Sequence, residues 1–229
     1  MDDVRVLPAG DAAWLVELPE RLDPEVNARA LRIARAIERA GLPVTDVVVG
    51  YRSVMAFVDP LSAEADRVEG RLGTLVVAPH TNDATPGTIV DVPVCYDGSY
   101  GPDLADVAAF GKCSPQEVVE RHLAREYRVF VVGFVPGFAY MAPVDPRIAA
   151  PRRPSPRLKV PAGSVAVAAG QTGIYPAETP GGWSLIGRSP VRPYNPDRRE
   201  PFLFHPGDRV RFRRISEAEY RAASEWGDV

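Results

Sequence analysis

The sequence predicts an α+β N-terminal domain of ferredoxin-like type, followed by a larger domain built mainly of strands. Three observations predict it. Short β-branched runs alternate with two helical patterns in the first third of the chain. A polar, proline-containing joint, PHTNDATPGT at residues 79–88, then interrupts the pattern. Beyond Tyr127 strand-like runs recur between Pro- and Gly-rich loops, the profile of a barrel or sandwich. The predicted domains are residues 1–80 and 88–229.

Each element has a local reason. Ala13 to Leu18 is a short apolar run with strand character. Asp23-Pro24 supplies an N-cap and an N1 proline for a first helix. Val26, Ala30, Ile33, Ala34 and Ile37 follow at helical spacing, and Gly41 ends the helix. Val44 to Gly50 and Ser53 to Val58 are β-branched runs joined by a turn at Tyr51-Arg52. Ser62 can cap a second helix through about Leu72, and Thr74 to Ala78 reads as a further strand. The order is β-α-β-β-α-β. In the second domain Ile89 to Tyr96 is the first strand, and Asp103 can cap a short helix. Ser114-Pro115-Gln116-Glu117 caps the next one, with Ser at N-cap, Pro at N1 and Glu at N3. Val129 to Phe134, Ser164 to Ala169, Trp183 to Arg188 and Arg209 to Arg213 complete the predicted strands.

Composition narrows the class. The chain has 229 residues, 45% of them hydrophobic, enough for a core without covalent staples. Val129 to Val144, the longest apolar stretch, is broken by Gly133, Pro136, Gly137 and Pro143, too short and interrupted for a membrane span. The N-terminus lacks a basic region and a long apolar region, which argues against a signal peptide. Cys95 and Cys113 form no CxxC pair, and the expected location is the reducing cytoplasm. His80, His122 and His205 are dispersed, so no metal site is expected.

The net charge of −3 hides a division. Residues 1–146 carry 13 basic and 22 acidic side chains, whereas residues 147–214 carry 13 and 4. Fourteen of the 24 prolines lie between Pro136 and Pro206, a stretch that largely overlaps the cationic one. Proline lowers the entropy lost when loops order, which suits pre-organised binding loops and plain loop stiffening alike. No P-loop, GxGxxG, GxSxG or HExxH motif is present. The cationic stretch carries no nucleic-acid motif, so no nucleic-acid partner is expected.

One dense region remains, Gly133 to Pro190. It contains GFVPGFAYM from Gly133, PRRPSPRLKVPAGSV from Pro151, QTGIYP from Gln171, TPGGW from Thr179 and LIGR from Leu185. In order and spacing these blocks resemble the family of allophanate hydrolase subunit 1 and KipI-type proteins, which includes the B-type component of the bacterial ATP-dependent 5-oxoprolinase. Glu117 to Val119 with His122 and Tyr127, and HPGDRV from His205, fit as well.

The resemblance implies a small α+β domain followed by a cyclophilin-like β-barrel. It implies a component of an enzyme acting on 5-oxo-L-proline, opened to L-glutamate at the expense of ATP with Mg at the level of the complex. No bound cofactor is implied for this chain alone. The implied partners are a C-type, KipA-like subunit and an A-type subunit, with no membrane partner. Alternatives within the same resemblance are inhibition of a sporulation histidine kinase and a urea- or allophanate-related carboxyltransferase or hydrolase role.

Candidate residues follow from the blocks. Arg152, Arg157 and Arg188 can supply the forked donors that a carboxylate or phosphate needs. Their bland alternative is a solvated or structural arginine. Gln171, Thr172 and Tyr175 are candidates to orient a lactam amide, or to bond within a turn. Gly181 and Gly182 allow positive φ or close backbone approach, and Trp183 offers a flat apolar wall. Phe138 and Tyr140 line a site or fill the barrel. His122, on the apolar face of its helix, is a proton shuttle at the pocket edge or a satisfied core residue.

Overall fold

The structure, a computed structural model, describes residues 4–62, 65–77 and 87–224. The chain divides into two compact units, Met1–Pro86 and Gly87–Val229. Residues 79–86 of the predicted joint lie outside the described residues.

The first unit contains β1 (Arg5–Pro8), β2 (Ala13–Glu17), α1 (Pro24–Arg39), β3 (Val44–Val49), β4 (Ser53–Val58) and α2 (Ala65–Val77). Asp23 caps α1 by accepting the Glu25 N–H, and Pro24 occupies the first turn. The sheet is antiparallel, in the order β1-β2-β4-β3. Val16, Val54, Ala56 and Val58 on one sheet face pack with Ile33 and Ile37 of α1 and Leu72 of α2.

This arrangement corrects the ferredoxin-like β-α-β-β-α-β expectation. Thr74 to Val77 is the end of α2, not a strand; Ala78 is outside the described residues. Val68, Leu72 and Val76 keep a four-residue spacing into the core, so helical burial outweighs the β-branched character of the run. Thr74 Oγ1 bonds back to the Gly70 carbonyl at 3.0 Å. The place beside β2 is taken by β1, a strand that the sequence pattern does not predict.

The second unit contains β5 (Ile89–Cys95), α3 (Leu104–Gly111), α4 (Pro115–Leu123), β6 (Glu126–Val132), β7 (Ala139–Ala142), β8 (Arg157–Val160), β9 (Ser164–Ala168), β10 (Gln171–Ile174), β11 (Thr179–Gly181), β12 (Ser184–Arg188), β13 (Arg209–Ile215) and α5 (Glu217–Ala223). Seven strands close a barrel in the order β10-β7-β6-β13-β5-β12-β9. β13 lies parallel to β5 over seven residues, from Arg209 beside Ile89 to Ile215 beside Cys95. Outside the barrel, β8 and β11 form a two-stranded flap. The strands absent from the sequence-based expectation, β7, β8, β10 and β11, are each four residues or fewer and set among prolines and glycines.

A chain of polar groups runs through the largely apolar barrel interior. His122 on α4 is fully buried. Its Nδ1 lies 2.8 Å from the Tyr96 hydroxyl and its Nε2 lies 2.9 Å from Thr172 Oγ1. Thr172 donates to the Ala166 carbonyl at 3.0 Å, so it accepts from the histidine. That fixes a neutral ring with the proton on Nε2 and Nδ1 accepting from Tyr96. The ring also stacks on Phe212, with centroids 4.5 Å apart. Burial pushes the histidine down to about 3 from its ordinary 6.5.

A second polar centre ties loops to the barrel. The sequence predicts an α3 cap at Asp103, but its side chain makes no cap hydrogen bond. Instead its Oδ1 and Oδ2 accept the Arg157 guanidinium in fork geometry, at 2.7 and 2.9 Å. Oδ1 also takes Arg153 Nη1 at 3.1 Å, and Oδ2 takes the Leu185 backbone N–H at 2.7 Å. One nearly buried carboxylate thus joins α3, the loop before β8, β8 itself and β12.

Both centres can be tested by unfolding. Below pH 6.5 the unfolded chain binds a proton at His122 that the native core refuses, so stability falls as pH falls toward about 3. Between pH 7 and pH 5 this amounts to about 2 kcal/mol. Denaturant unfolding at both pH values should show that loss, and His122→Gln should reduce it; an unchanged slope refutes the assignment. Asp103→Asn removes the charge that neutralises two arginines and should cost about 2–3 kcal/mol of unfolding free energy. A loss below about 0.5 kcal/mol would show that the arginines are equally well served by water.

Candidate functional site

A cavity of about 410 Å³ opens where three loops meet at one side of the barrel. The β6–β7 loop contributes Phe134 and Val135, and its end contributes Phe138. Tyr140 comes from β7 and Tyr175 follows β10. The loop before β8 gives Arg152, Arg153 and Pro156, and β11 with its following turn gives Thr179 to Trp183.

Local geometry explains this convergence. The β6–β7 loop closes on itself through Gly133 N–H to Phe138 O and Phe138 N–H to Val135 O, both at 3.0 Å. Gly137 turns it with φ at 85°, and a β-carbon there would meet the Tyr194 β-carbon at 2.6 Å. Only glycine combines that backbone with that contact. The other two loops are zipped together by the β8–β11 ladder and by Arg153 N–H to Gly182 O at 2.8 Å. Gly181 packs so closely on the Tyr175 ring that a β-carbon would collide with the hydroxyl.

The floor is aromatic. Phe138, almost fully buried, meets Tyr140, Tyr175 and Trp183 edge to face, with centroids 4.8, 5.2 and 5.5 Å away. Such pairs hold each ring at a fixed tilt. Phe134 meets the same ring edge-on at 5.9 Å, yet is 64% exposed and holds φ at 73°. A bulky residue in that backbone region is strained, and an exposed Phe gains little from burial. Neither cost is explained by folding.

The electrostatics are one-sided. No carboxylate lines the cavity. Arg153 is partly neutralised by Asp103, whereas Arg152 is exposed and makes no ion pair or hydrogen bond among the described residues. Burial raises the Tyr140 hydroxyl, with Arg152 opposing the shift. Burial also raises the Tyr175 hydroxyl, which accepts the Trp183 backbone N–H. Both phenols therefore keep their protons at neutral pH. The lining can surround a small flat molecule with rings and hold an anionic group at Arg152.

The cavity gathers Phe138, Tyr140, Arg152, Tyr175, Gly181, Gly182 and Trp183 from the sequence candidates. It does not gather the others. His122 and Thr172 sit in the barrel interior, bonded to each other. Arg157 is held by Asp103. Arg188 Nε donates to the Ala162 carbonyl at 2.8 Å. Gln171 and Thr172 belong to β10 rather than to a loop. Neither Gly181 nor Gly182 has positive φ; close approach explains Gly181, and ordinary contact surrounds Gly182. Sequence reasoning misses Phe134, Val135, Arg153, Pro156, Thr179 and Pro180. All six lie within the motif blocks, which is the signal that could have found them.

Among the described residues no group of three or more His, Cys, Asp or Glu side chains is placed to hold a metal ion. No helix among them is long and apolar enough to cross a membrane.

Known proteins share this sequence and fold. The profile of the carboxyltransferase domain, subdomain C and D, matches residues 4–204. The B-type 5-oxoprolinase component of Bacillus subtilis is 38% identical over 231 residues, covering 94% of this chain and 95% of the relative. The protein of the same name from Escherichia coli O157:H7 is 37% identical, covering 93% and 96%. A putative urea carboxylase of Emericella nidulans is 30% identical over 133 residues, 53% of this chain but 11% of that protein. Among solved structures, TTHA0988 is 40% identical with a TM-score of 0.78; the match covers 89% of this chain and 40% of that one. PH0987 from Pyrococcus horikoshii is 41% identical with a TM-score of 0.57, over 94% of this chain and all of that one. The K. lactis urea amidolyase shares the fold, with a TM-score of 0.80 at 21% identity, over 96% of this chain and 15% of that one. The profile spans both units and the relatives named as B-type 5-oxoprolinase components align almost end to end: the chain belongs to the carboxyltransferase domain, subdomain C and D, family.

Proposed function

We propose that this chain is the B-type component of an ATP-dependent 5-oxoprolinase, and that the aromatic cavity binds 5-oxo-L-proline. The observation that carries the reading is the pairing of the free Arg152 with a cavity walled by rings and lacking carboxylates. The substrate is a flat five-membered lactam bearing one carboxylate. Arg152, with the protonated Tyr140 hydroxyl, suits the carboxylate; Phe138 and Trp183 suit the ring. The near full-length identity to two proteins named as B-type 5-oxoprolinase components supports the same choice.

The lining suits an anion and not a magnesium–nucleotide. It offers no carboxylate for a hard cation and no glycine-rich loop for a triphosphate. ATP and Mg therefore belong, in this reading, to the assembly with A-type and C-type partners. ATP supplies the activation, because a lactam amide is poorly electrophilic until its oxygen is phosphorylated. Overall one ATP and two waters are consumed, the ring C–N bond breaks, and glutamate, ADP and phosphate leave. This chain's residues bind the ring, fix its carboxylate and limit water on the aromatic side. The location in this reading is the cytoplasm, where ATP is available.

The decisive experiment mixes the purified chain with its A-type and C-type partners and measures ATP hydrolysis. Hydrolysis that depends on 5-oxoproline supports the reading; its absence, with urea or allophanate active instead, replaces it with the urea-related role. Within an active complex, Arg152→Gln should raise KM for 5-oxoproline roughly 10- to 100-fold, the worth of one charged hydrogen bond, with a smaller effect on kcat. Phe134→Ala should raise KM about 3- to 10-fold while thermal stability holds, because a ring 64% exposed contributes little to folding. Unchanged KM in both variants would move the substrate out of this cavity.

A further inference from the structure

The four-stranded sheet of the first unit has a second face that its own helices do not cover. Strand alternation sends Val16, Val54, Ala56 and Val58 to the helix side. The alternate positions line up on the other side. Leu7 lies opposite Leu15, Leu15 opposite Met55, and Met55 opposite Val48. These four make an unbroken apolar row across all four strands. Ala13 and Phe57 are opposite each other on the same side, one pair further along. Leu7, Phe57 and Val48 are exposed, Val48 to 48%. An antiparallel sheet with one wet face ordinarily alternates apolar-in and polar-out; this one is apolar on both.

Charge is confined to the margins of this face. Arg5 and Glu17 form an ion pair at one end, on β1 and β2. Asp46, at the opposite end and on the opposite edge strand, is paired with Phe57 across β3 and β4. Its Oδ1 accepts the Val47 N–H at 2.8 Å, and no ion pair engages it among the described residues. The Arg5 side chain stays 64% exposed despite its partner. Arg5 and Asp46 are three strand spacings apart across the sheet, about 14 Å, and four residues apart along it, about 13 Å. The charged corners therefore mark opposite ends of a nearly square diagonal.

We propose that this face is a self-association surface, covered by the same face of a second copy of the chain. A two-fold axis lying in the contact plane, along the other diagonal, exchanges the two charged corners. Arg5 of each copy then meets Asp46 of the other, twice per dimer, and the strands of the two sheets cross near 90°. The apolar rows cross at the centre. The proposal is independent of the function assigned to the cavity. The patch is small against a standard interface, so the dimer is weak and concentration-dependent.

Sedimentation of the full chain from about 1 to 200 μM tests it. The expected result is a monomer–dimer equilibrium whose dissociation constant rises at least tenfold in Val48→Glu. Asp46→Arg and Arg5→Glu should each weaken self-association, since each places like charges together. Mixing those two variants should restore a heterodimer, because position 5 of each copy then faces the opposite charge at position 46 of the other. Thermal unfolding of each variant shows whether the monomer fold is intact, and intact variants are required for the comparison. A chain that stays monomeric throughout, or a dimer indifferent to Val48→Glu, overturns the proposal. Loss without rescue on mixing overturns the two-fold arrangement. Protection of this face only when a C-type partner is added assigns it to that partner instead.

Discussion

The cavity depends on one carboxylate. Asp103 is at the start of α3, far in sequence from every loop that forms the pocket. It holds Arg157 in fork geometry, takes a third bond from Arg153 and a fourth from the Leu185 backbone. A carboxylate accepts about four hydrogen bonds, so it is saturated. The proline-rich loop before β8 is thereby fastened to the barrel wall at β12. The β8–β11 ladder passes that anchorage on to Gly181, and Gly181 rests against Tyr175. Without the carboxylate two guanidinium groups lose their partner beneath the loop, and the cavity loses its fixed side.

The same interaction explains the one-sided electrostatics. Three arginines lie close in sequence at 152, 153 and 157, and Asp103 engages the last two. Arg152 alone keeps its charge available beside the aromatic floor. The excess of basic residues between 147 and 214 dissolves in a similar way elsewhere. Arg147 pairs with Glu117, Arg209 with Glu126, Arg211 with Asp91 and Arg214 with Asp97. All these acids come from the acidic stretch of the sequence, within the second unit. Charge segregated along the chain becomes interleaved when the barrel closes, because β13 sits between β5 and β6. The charge count along the chain therefore overstates the charge left unpaired on the folded surface.

Much of the fold was legible where local chemistry decides. The caps at Asp23 and Ser114 and the helical spacing through Ile37 act over a few residues, and the structure keeps them. The alternation in β13 is equally local. What was not legible depended on distant contacts. Thr74 to Val77 looks like a strand until Val68 and Leu72 are seen packing below it in register. Asp103 looks like a cap until the arginines arrive from about fifty residues away. His122 and Thr172 are both candidates from their motif positions, and nothing local says that they satisfy each other inside the barrel. The aromatic and glycine candidates meet at one cavity because those positions are set by shape. The arginines could not be sorted, since free and paired guanidinium groups look alike in a sequence.

Phe134 and the Asp103 anchorage together suggest how the site is built. The anchorage makes one wall rigid through saturated hydrogen bonds. The opposite wall carries a strained, exposed ring on a loop pinned by Gly137 against Tyr194. Rigid walls reduce the entropy lost on binding, and an exposed ring gains its burial only when something covers it. The ligand itself, or a chain that closes over it, is what can do so.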